Sequence, residues 1–212
     1  MRSASILAIA QISGDAFLKK QIGFFGGTFD PIHLGHLNLA IELLEKAKLD
    51  EVLFCPALCS PFKQTSPPLA RPEERFEMIR RTIEGVAGLA VTSVEIERGA
   101  PSYTIDTVRL LQTPSTSYRL ILTSDALLRF SEWKEPEALL QLAPPLIGSR
   151  VPFPKPKGLF AHYFQQSFVE TRLFDLSSTE IRRRLADNLY CGHLVAPKAL
   201  DYIHHNRLYC KA

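Results

Sequence analysis

From Gln21 onward, short apolar runs alternate with amphipathic stretches, and this alternation constrains the fold more than any other feature. Residues 21–26 are an apolar run ending in paired glycines, which reads as a buried strand meeting a turn. Residues 34–48 place Leu37, Ile41, Leu44 and Lys48 at helical spacing. A second strand over 51–55 closes at Pro56, a proline-rich loop follows over 61–72, and Pro72 opens a helix running to about Glu84, where its missing N–H costs nothing. Further strands are expected over 89–95, 118–123, 145–149 and 168–174. Helices are expected over 105–112, 126–130, 136–142, 179–187 and 197–206, and residues 151–158, with three prolines, read as a loop. Strands that alternate with helices imply a parallel sheet covered on both faces, because each crossover must return over the sheet. Such sheets bind ligands beyond the carboxyl ends of their strands, where strand order reverses. The strand-to-helix loops are therefore the place to look for function.

Composition agrees with a packed soluble domain. Of 212 residues, 46% are hydrophobic and 22% charged, enough apolar surface for a real core and too much for disorder. The formal charge of +3 is too small, and too little clustered, to argue for nucleic acid. No apolar run approaches the roughly 18 residues of a membrane-spanning helix. Cys55, Cys59, Cys191 and Cys210 are too few and scattered for a disulfide scaffold, which points to a reducing compartment, the cytoplasm. Cys55 and Cys59 with Cys191 and His193 would form a zinc set, although Cys55 ends an apolar run and reads better as a small buried hydrophobe. Residues 1–19 precede the first strong strand signal and are expected to be a peripheral extension to a single domain over 20–212. Their short apolar stretch and thin basic end fall short of a signal peptide.

The loop joining the first strand to the first helix holds the chemistry. Gly26 and Gly27 let backbone approach a ligand closely and take conformations closed to other residues. The helix beginning near His33 points unpaired N–H groups and its positive dipole end into the same space. His33 and His36, three residues apart, lie on one helical face where both imidazoles can meet one anion such as a triphosphate. Other readings of the same residues are a turn capped by Asp30, or a metal site of Asp30, His33 and His36.

The run Gly27-Thr28-Phe29-Asp30-Pro31-Ile32-His33-Leu34-Gly35-His36 resembles the nucleotidyltransferase signature G-x-F-D-P-x-H-x-G-H, and Ser177-Ser178-Thr179-Glu180-Ile181-Arg182 resembles the second signature of that superfamily, S-S-T-x-I-R. Taken alone, the second run is also a capping box of Ser177 and Glu180 opening a helix, and a capped helix start is itself an anion site. Three further stretches make residues 21–209 similar to bacterial nicotinate-nucleotide adenylyltransferases: Ser102-Tyr103-Thr104-Ile105-Asp106-Thr107, Trp133 after a Ser-Asp-Ala-Leu stretch, and the tail from Tyr202-Ile203 to Leu208-Tyr209. Pro61-Phe62-Lys63 also matches a proline-lysine element of the family.

The resemblance implies an α/β, Rossmann-like doubly wound parallel sheet with helices on both faces, and adenylyl transfer from ATP to nicotinate mononucleotide, giving deamido-NAD and pyrophosphate. It implies His33, His36, Lys63 and Arg182 as the catalytic set. ATP would lie against Gly26, Gly27, Thr28, Phe29, His33, His36, Asp125, Ser178, Thr179 and Arg182. Thr104, Trp133 and Lys134 would take nicotinate mononucleotide, the indole stacking on the pyridine ring while a hydroxyl and a backbone N–H donate to its carboxylate. Mg2+ is expected to arrive with ATP and keep several waters, with no all-protein metal cage. Arg183 and Arg184 are expected at the surface, since consecutive helical positions face apart.

This chain departs from the family pattern at Thr123-Ser124-Asp125, where glycine-alanine-aspartate is usual. It also has Val-Pro-Phe-Pro after Arg150 where a glycine is expected, and Ala196 in place of a common proline. The nearest rival enzyme, pantetheine-phosphate adenylyltransferase, carries threonine in place of His33. A non-catalytic nucleotide sensor on the same fold would be expected to have lost a motif histidine or Arg182, and all are present.

Overall fold

The structure is a computed structural model, which describes residues 19–59, 67–99, 101–149, 152, 155–172 and 174–211. The peripheral extension expected over residues 1–19 falls almost wholly outside them. Six strands, β1 (Lys20–Gly27), β2 (Glu51–Pro56), β3 (Leu89–Val91), β4 (Thr116–Leu122), β5 (Pro145–Ser149) and β6 (Phe168–Glu170), form one sheet in the order β3-β2-β1-β4-β5-β6. Every neighbouring pair is parallel. From β1 in the middle, the chain winds outward through β2 to β3 and then returns to β4 on the other side of β1. That reversal opens a crevice beyond the carboxyl end of β1, as doubly wound sheets do.

The pleat sorts each strand into two cores. Ile22 and Phe24 of β1 pack with Tyr118, Leu120 and Leu122 of β4, whereas Phe25 faces the opposite way with Val52, Phe54 and Ile121. The first core is completed by Ile105 and Val108 of α4 (Thr104–Leu111), Leu139 and Leu140 of α6 (Pro136–Leu142) and Phe164 of α7 (Ala161–Gln165). The second is closed by Leu39 and Leu43 of α1 (Leu34–Lys46), Met78 and Ile79 of α2 (Pro72–Ile83), Ile181 and Leu185 of α8 (Ser178–Ala186), and Ala199 and Ile203 of α9 (Pro197–His205). Both faces are thus buried, which explains the nearly continuous apolar reading of the central strands.

Two strands are shorter than the sequence implies. The third, expected to reach Glu95, ends at Val91. Thr92 N–H makes the next bond to Phe54 O (2.9 Å), and its hydroxyl then accepts from Val94 N–H (3.3 Å), turning the chain into a short helix α3 (Val94–Arg98). The sixth, expected over 168–174, ends at Glu170. Side chains of α1 capture its exit: Lys46 donates to Glu170 O (2.7 Å), Asn38 donates to Arg172 O, and buried Glu42 accepts from the Arg172 guanidinium (2.7 Å). Helix α7 lies between the prolines and β6, where the sequence carries no clear helical stripe. Between β4 and α6 the chain makes a short helix α5 (Ser124–Leu127) and a 3-10 turn over Phe130–Glu132.

Helix α1 sits close against β5 because Gly148 has no side chain there. A Cβ at Gly148 would overlap Leu39 Cδ1 and come within 2.8 Å of Thr171 Oγ1. Gly148→Ala is therefore expected to cost about 1–3 kcal/mol of stability through overpacking. A lowered urea midpoint with unchanged slope would report it; an unchanged midpoint would mean that α1 is free to shift.

Candidate active site

The loop after β1 enters α1 through two histidines that cap the helix together. His33 is the N-cap in extended conformation (φ −143°, ψ 170°), so it stands just outside the helix rather than on the helical face its spacing implied. His36 N–H donates to His33 Nδ1 and His33 N–H donates to His36 Nδ1, both at 3.3 Å. The rings stack with centroids 3.7 Å apart. With both Nδ1 atoms accepting, each neutral ring carries its proton on Nε2 and has one N–H left to donate. Burial pushes His33 down to about 4, and burial followed by the charge of His33 holds His36 well below the usual histidine range. A polyanion beside them opposes that shift by favouring the charged form.

The backbone under the histidines is tightly fixed. Gly26 and Gly27 lie in extended β1 and supply room rather than unusual torsion: a Cβ on Gly27 would fall 2.8 Å from the ring of Phe29. Phe29 is in the left-handed region (φ 51°), at a cost of order 1 kcal/mol. Its buried ring is held at 5.4 Å from Phe25, 5.6 Å from Phe54 and 5.1 Å from His36. Asp30, 4% exposed, turns into the protein and accepts from Leu69 N–H (2.9 Å), Ala70 N–H (3.0 Å) and the Tyr209 hydroxyl (2.8 Å). That orientation takes it out of any metal set with the histidines.

Arg75, fully buried in α2, donates to the carbonyls of Thr28 (2.8 Å), Ala70 (3.2 Å) and Leu58 (3.3 Å). Burial lowers its pKa, but a guanidinium stays charged regardless. The sequence reading assigned no role to Arg75. The signal was present, because Arg75 shares its helical face with Met78, Ile79, Thr82 and Ile83, an apolar stripe on which a lone charge is out of place.

Helix α8 delivers the second motif to the same cavity. Ser177 caps it, accepting from Glu180 N–H (3.1 Å), but the Glu180 carboxylate pairs with Arg183 (2.7 Å), so the expected reciprocal capping box is only half formed. Ser178 Oγ donates to Pro31 O (2.9 Å). Arg182 donates to Asp30 O (2.6 Å) and to Thr179 Oγ1 (3.1 Å). Arg183 is exposed, as expected, while Arg184 is half-buried and donates to Tyr190 O (2.8 Å). Gly26, Gly27, Thr28 and Phe29, the two histidines, and Ser178, Thr179 and Arg182 all line one cavity of about 720 Å³. Thr123 lines it too, bringing one of the departures from the family pattern to the wall.

A second cavity of about 290 Å³ adjoins the first, sharing Gly26, Gly27 and Thr28 with it. Thr104, Trp133 and Lys134 line it, together with Ser102, Tyr103 and Glu95. The Trp133 ring stacks on buried Phe130 at 5.1 Å. Lys134 places its ammonium on Asp106 (2.9 and 3.0 Å) and over the Tyr103 ring, so its charge is already matched. Glu95, also unassigned from sequence, is buried and raised in pKa by that burial. It accepts from Thr107 Oγ1 (2.7 Å) and is bonded to Ser102, whose hydroxyl also accepts from Leu58 N–H (3.0 Å). Nothing in its sequence neighbourhood marks it.

Lys63 lies outside the described residues. So does the side chain of Asp125, although its backbone is part of α5. Among the described residues, no group of three or more His, Cys, Asp or Glu side chains is placed to hold a metal ion, and Cys55 is buried, its thiol pushed up by that burial.

Comparison with known proteins assigns the family. The cytidylyltransferase-like family model matches residues 24–184. A probable nicotinate-nucleotide adenylyltransferase of Desulfatibacillum aliphaticivorans is 33% identical over 216 residues, covering 89% of this chain and 99% of its own. One from Carboxydothermus hydrogenoformans is 35% identical over 198 residues, covering 89% and 98%. The chain belongs to the nicotinate-nucleotide adenylyltransferase family. The nicotinic acid mononucleotide adenylyltransferase of Plasmodium falciparum, solved in complex with NaAD, shares the fold at 19% identity, with a TM-score of 0.72 over 90% of this chain and 97% of that one. Of the residues that carry the resemblance, most of those of the two motifs line the larger cavity and Ser102 to Ile105 with Trp133 line the smaller, whereas the tail from Tyr202 to Tyr209 packs against the core.

The buried histidine cap has a pH signature. Between pH 6.5 and about 4 the unfolded chain holds a proton on His33 that the folded chain does not. Stability therefore rises with pH across that window, and the contribution of up to about 3 kcal/mol, complete above pH 6.5, is lost as pH falls. His33→Asn keeps an N-cap acceptor without the titration. Urea unfolding at pH 7, 6, 5 and 4.5 should show a shallower acid loss in that variant than in the parent, and equal slopes would reject the buried neutral imidazole.

Proposed function

We propose that this chain transfers the adenylyl group of ATP to nicotinate mononucleotide, forming deamido-NAD and releasing pyrophosphate, with the larger cavity taking ATP and the smaller one the acceptor. The observation that carries this reading is the junction: two unlike cavities meet over Gly26, Gly27 and Thr28. A phosphate-bearing acceptor in one can there approach the α-phosphorus of a triphosphate in the other. The acceptor phosphate is already an oxyanion at neutral pH. It attacks the α-phosphorus, the bond to the bridging oxygen of the β-phosphate breaks, and pyrophosphate leaves with that electron pair. No general base or covalent enzyme intermediate is needed, and the protein's work is alignment and charge stabilisation.

The donor set of the larger cavity suits that work. His33 and His36 each have an Nε2–H to give, and Arg182 offers a fork that can bond two phosphate oxygens. Ser178 and Thr179 open α8, whose first-turn N–H groups favour an anion. Lys63 is assigned to phosphate and Asp125 to the adenosine side by resemblance alone. Among the described residues no cluster of side chains is placed to hold a metal, so Mg2+ would come with the triphosphate and would supply further neutralisation of its charge.

In the smaller cavity, Trp133 backed by Phe130 offers a flat face for the pyridine ring. Thr104 opens helix α4, so its hydroxyl and the unconsumed N–H groups of the first turn make a donor-rich place for the nicotinate carboxylate. Because the Lys134 ammonium is already matched by Asp106, the backbone rather than the charge of Lys134 is assigned to the acceptor. A single nucleotidyltransferase domain over 20–212 is supported by the one six-stranded sheet and by α8 and α9 packing on its core. No helix among the described residues is long and apolar enough to cross a membrane. The four free cysteines suit a reducing compartment, and the cytoplasm is the setting assigned here. No nucleic-acid or membrane partner forms part of this reading.

Pyrophosphate release from ATP and Mg2+ should be rapid with nicotinate mononucleotide and much slower with nicotinamide mononucleotide or phosphopantetheine. His36→Ala should lower turnover by about a hundredfold or more, as loss of one transition-state donor does. Trp133→Ala should raise the KM for the acceptor by about tenfold with a smaller change in kcat. Turnover with none of the acceptors, alongside intact ATP binding, would instead favour a nucleotide sensor.

A further inference from the structure

The last described turn of the chain reaches back to the catalytic loop. Leu208 N–H donates to Ile203 O (3.0 Å) and Arg207 N–H to His204 O (3.1 Å), wrapping the end of α9 and leading into Tyr209. Tyr209 is held in the left-handed region (φ 64°), and its side chain packs against the core beside Met78 of α2. A non-glycine residue kept there must be over-determined by its surroundings. What the conformation achieves is a 2.8 Å bond from the Tyr209 hydroxyl to Asp30 Oδ1, across 179 residues of sequence.

Asp30 already accepts two backbone N–H groups, and its second oxygen lies 3.6 Å from the Arg182 guanidinium. The buried carboxylate and the bound triphosphate would therefore compete for one arginine. Arg182 is only a quarter exposed, and the guanidinium nitrogen that bonds Asp30 O is the one that lies 3.6 Å from the Asp30 carboxylate.

We propose that Tyr209 is a positioning residue for adenylyl transfer: its hydroxyl satisfies Asp30 Oδ1, so that Arg182 stays directed at the triphosphate instead of closing onto Asp30. This rests on the proposed function only for the identity of the triphosphate. Burial and the charge of Asp30 push the phenol far above its ordinary value, so Tyr209 remains a donor at every working pH. Tyr209 touches no reacting atom and acts through Asp30 and Arg182.

The test is a double-mutant cycle read with inorganic triphosphate by calorimetry, on the parent chain, Tyr209→Phe, Arg182→Gln and the double variant. Tyr209→Phe keeps the ring and removes only the hydroxyl. It should weaken triphosphate by about tenfold in the parent, the effect expected of one hydrogen bond to a charged group, and should cause no further loss in Arg182→Gln. In steady state it should lower kcat similarly while leaving the KM for nicotinate mononucleotide within about twofold. A hydroxyl with only a structural role would weaken binding equally in both backgrounds, and that result, or an unchanged affinity in Tyr209→Phe, overturns the proposal.

A second readout needs no change at Tyr209. The ¹³Cζ resonance of Tyr209 should move when triphosphate is added to the parent chain and stay still in Arg182→Gln; movement in both, or in neither, counts against the coupling. Turnover of the parent with nicotinate mononucleotide, run alongside, reports separately on the acceptor assignment, since the triphosphate cycle does not depend on it.

Discussion

A buried carboxylate organises this molecule. Asp30 sits under the loop that bears the histidines and joins three parts of the chain that are distant in sequence: the segment leading into α2 through Leu69 and Ala70, the second motif through Arg182, and the final turn through Tyr209. A carboxylate this deep is tolerable only when its lone pairs are occupied, since an unpaired buried charge costs several kcal/mol. Its partners are fixed in their turn: Arg75 holds Thr28, Leu58 and Ala70 by their carbonyls, and Ser178 holds Pro31. The result is a loop anchored at Asp30 by groups that distant parts of the chain supply. Its histidines remain free to present N–H groups to the cavity.

The sheet supplies the geometry that this loop exploits. Because strand order reverses at β1, the loop after β1 faces α8 on one side and the elements after β2, β3 and β4 on the other. One cavity is consequently rich in donors for phosphate. The other has an aromatic wall and a helix N-terminus. The two cavities touch over Gly26, Gly27 and Thr28, where the glycines add no side chain. The electrostatics match this division. Two neutral, desolvated imidazoles cost little to keep in an empty site, yet gain affinity for protons once phosphate charge arrives.

Much of this was legible in the residues. The alternation of short apolar runs with amphipathic stretches determined a parallel α/β sheet, because strands buried on both faces read as continuous apolar runs and the helices that cover them carry the 3.6-residue period. The two motifs located the loop and the helix that line the larger cavity, since glycine, histidine and arginine there answer to a short-range need for close approach and donors. Strand ends were less legible. At Thr92 a side chain outbid the sheet for a backbone N–H, and at Glu170 the deciding groups belong to α1, far away in sequence. The histidine pair was found by spacing, but its stacked reciprocal cap was not, because i,i+3 spacing is equally compatible with a pair inside a helix.

What only the tertiary structure decided is which polar residues are buried and to whom they answer. Arg75 stands out in the sequence as a lone charge on an apolar helical stripe, and Tyr209 belongs to a recognisable tail, but the partners of neither, nor those of Glu95, can be read from the residues beside them. Arg75, Glu95 and Tyr209 each become a support of the site through partners that include residues 47, 12 and 179 positions away, respectively. Hydrophobic pattern and motif chemistry act over a few residues and so are written locally. Satisfying a buried charge depends on which distant groups the fold brings within 3 Å of it, and the sequence by itself does not contain that distance.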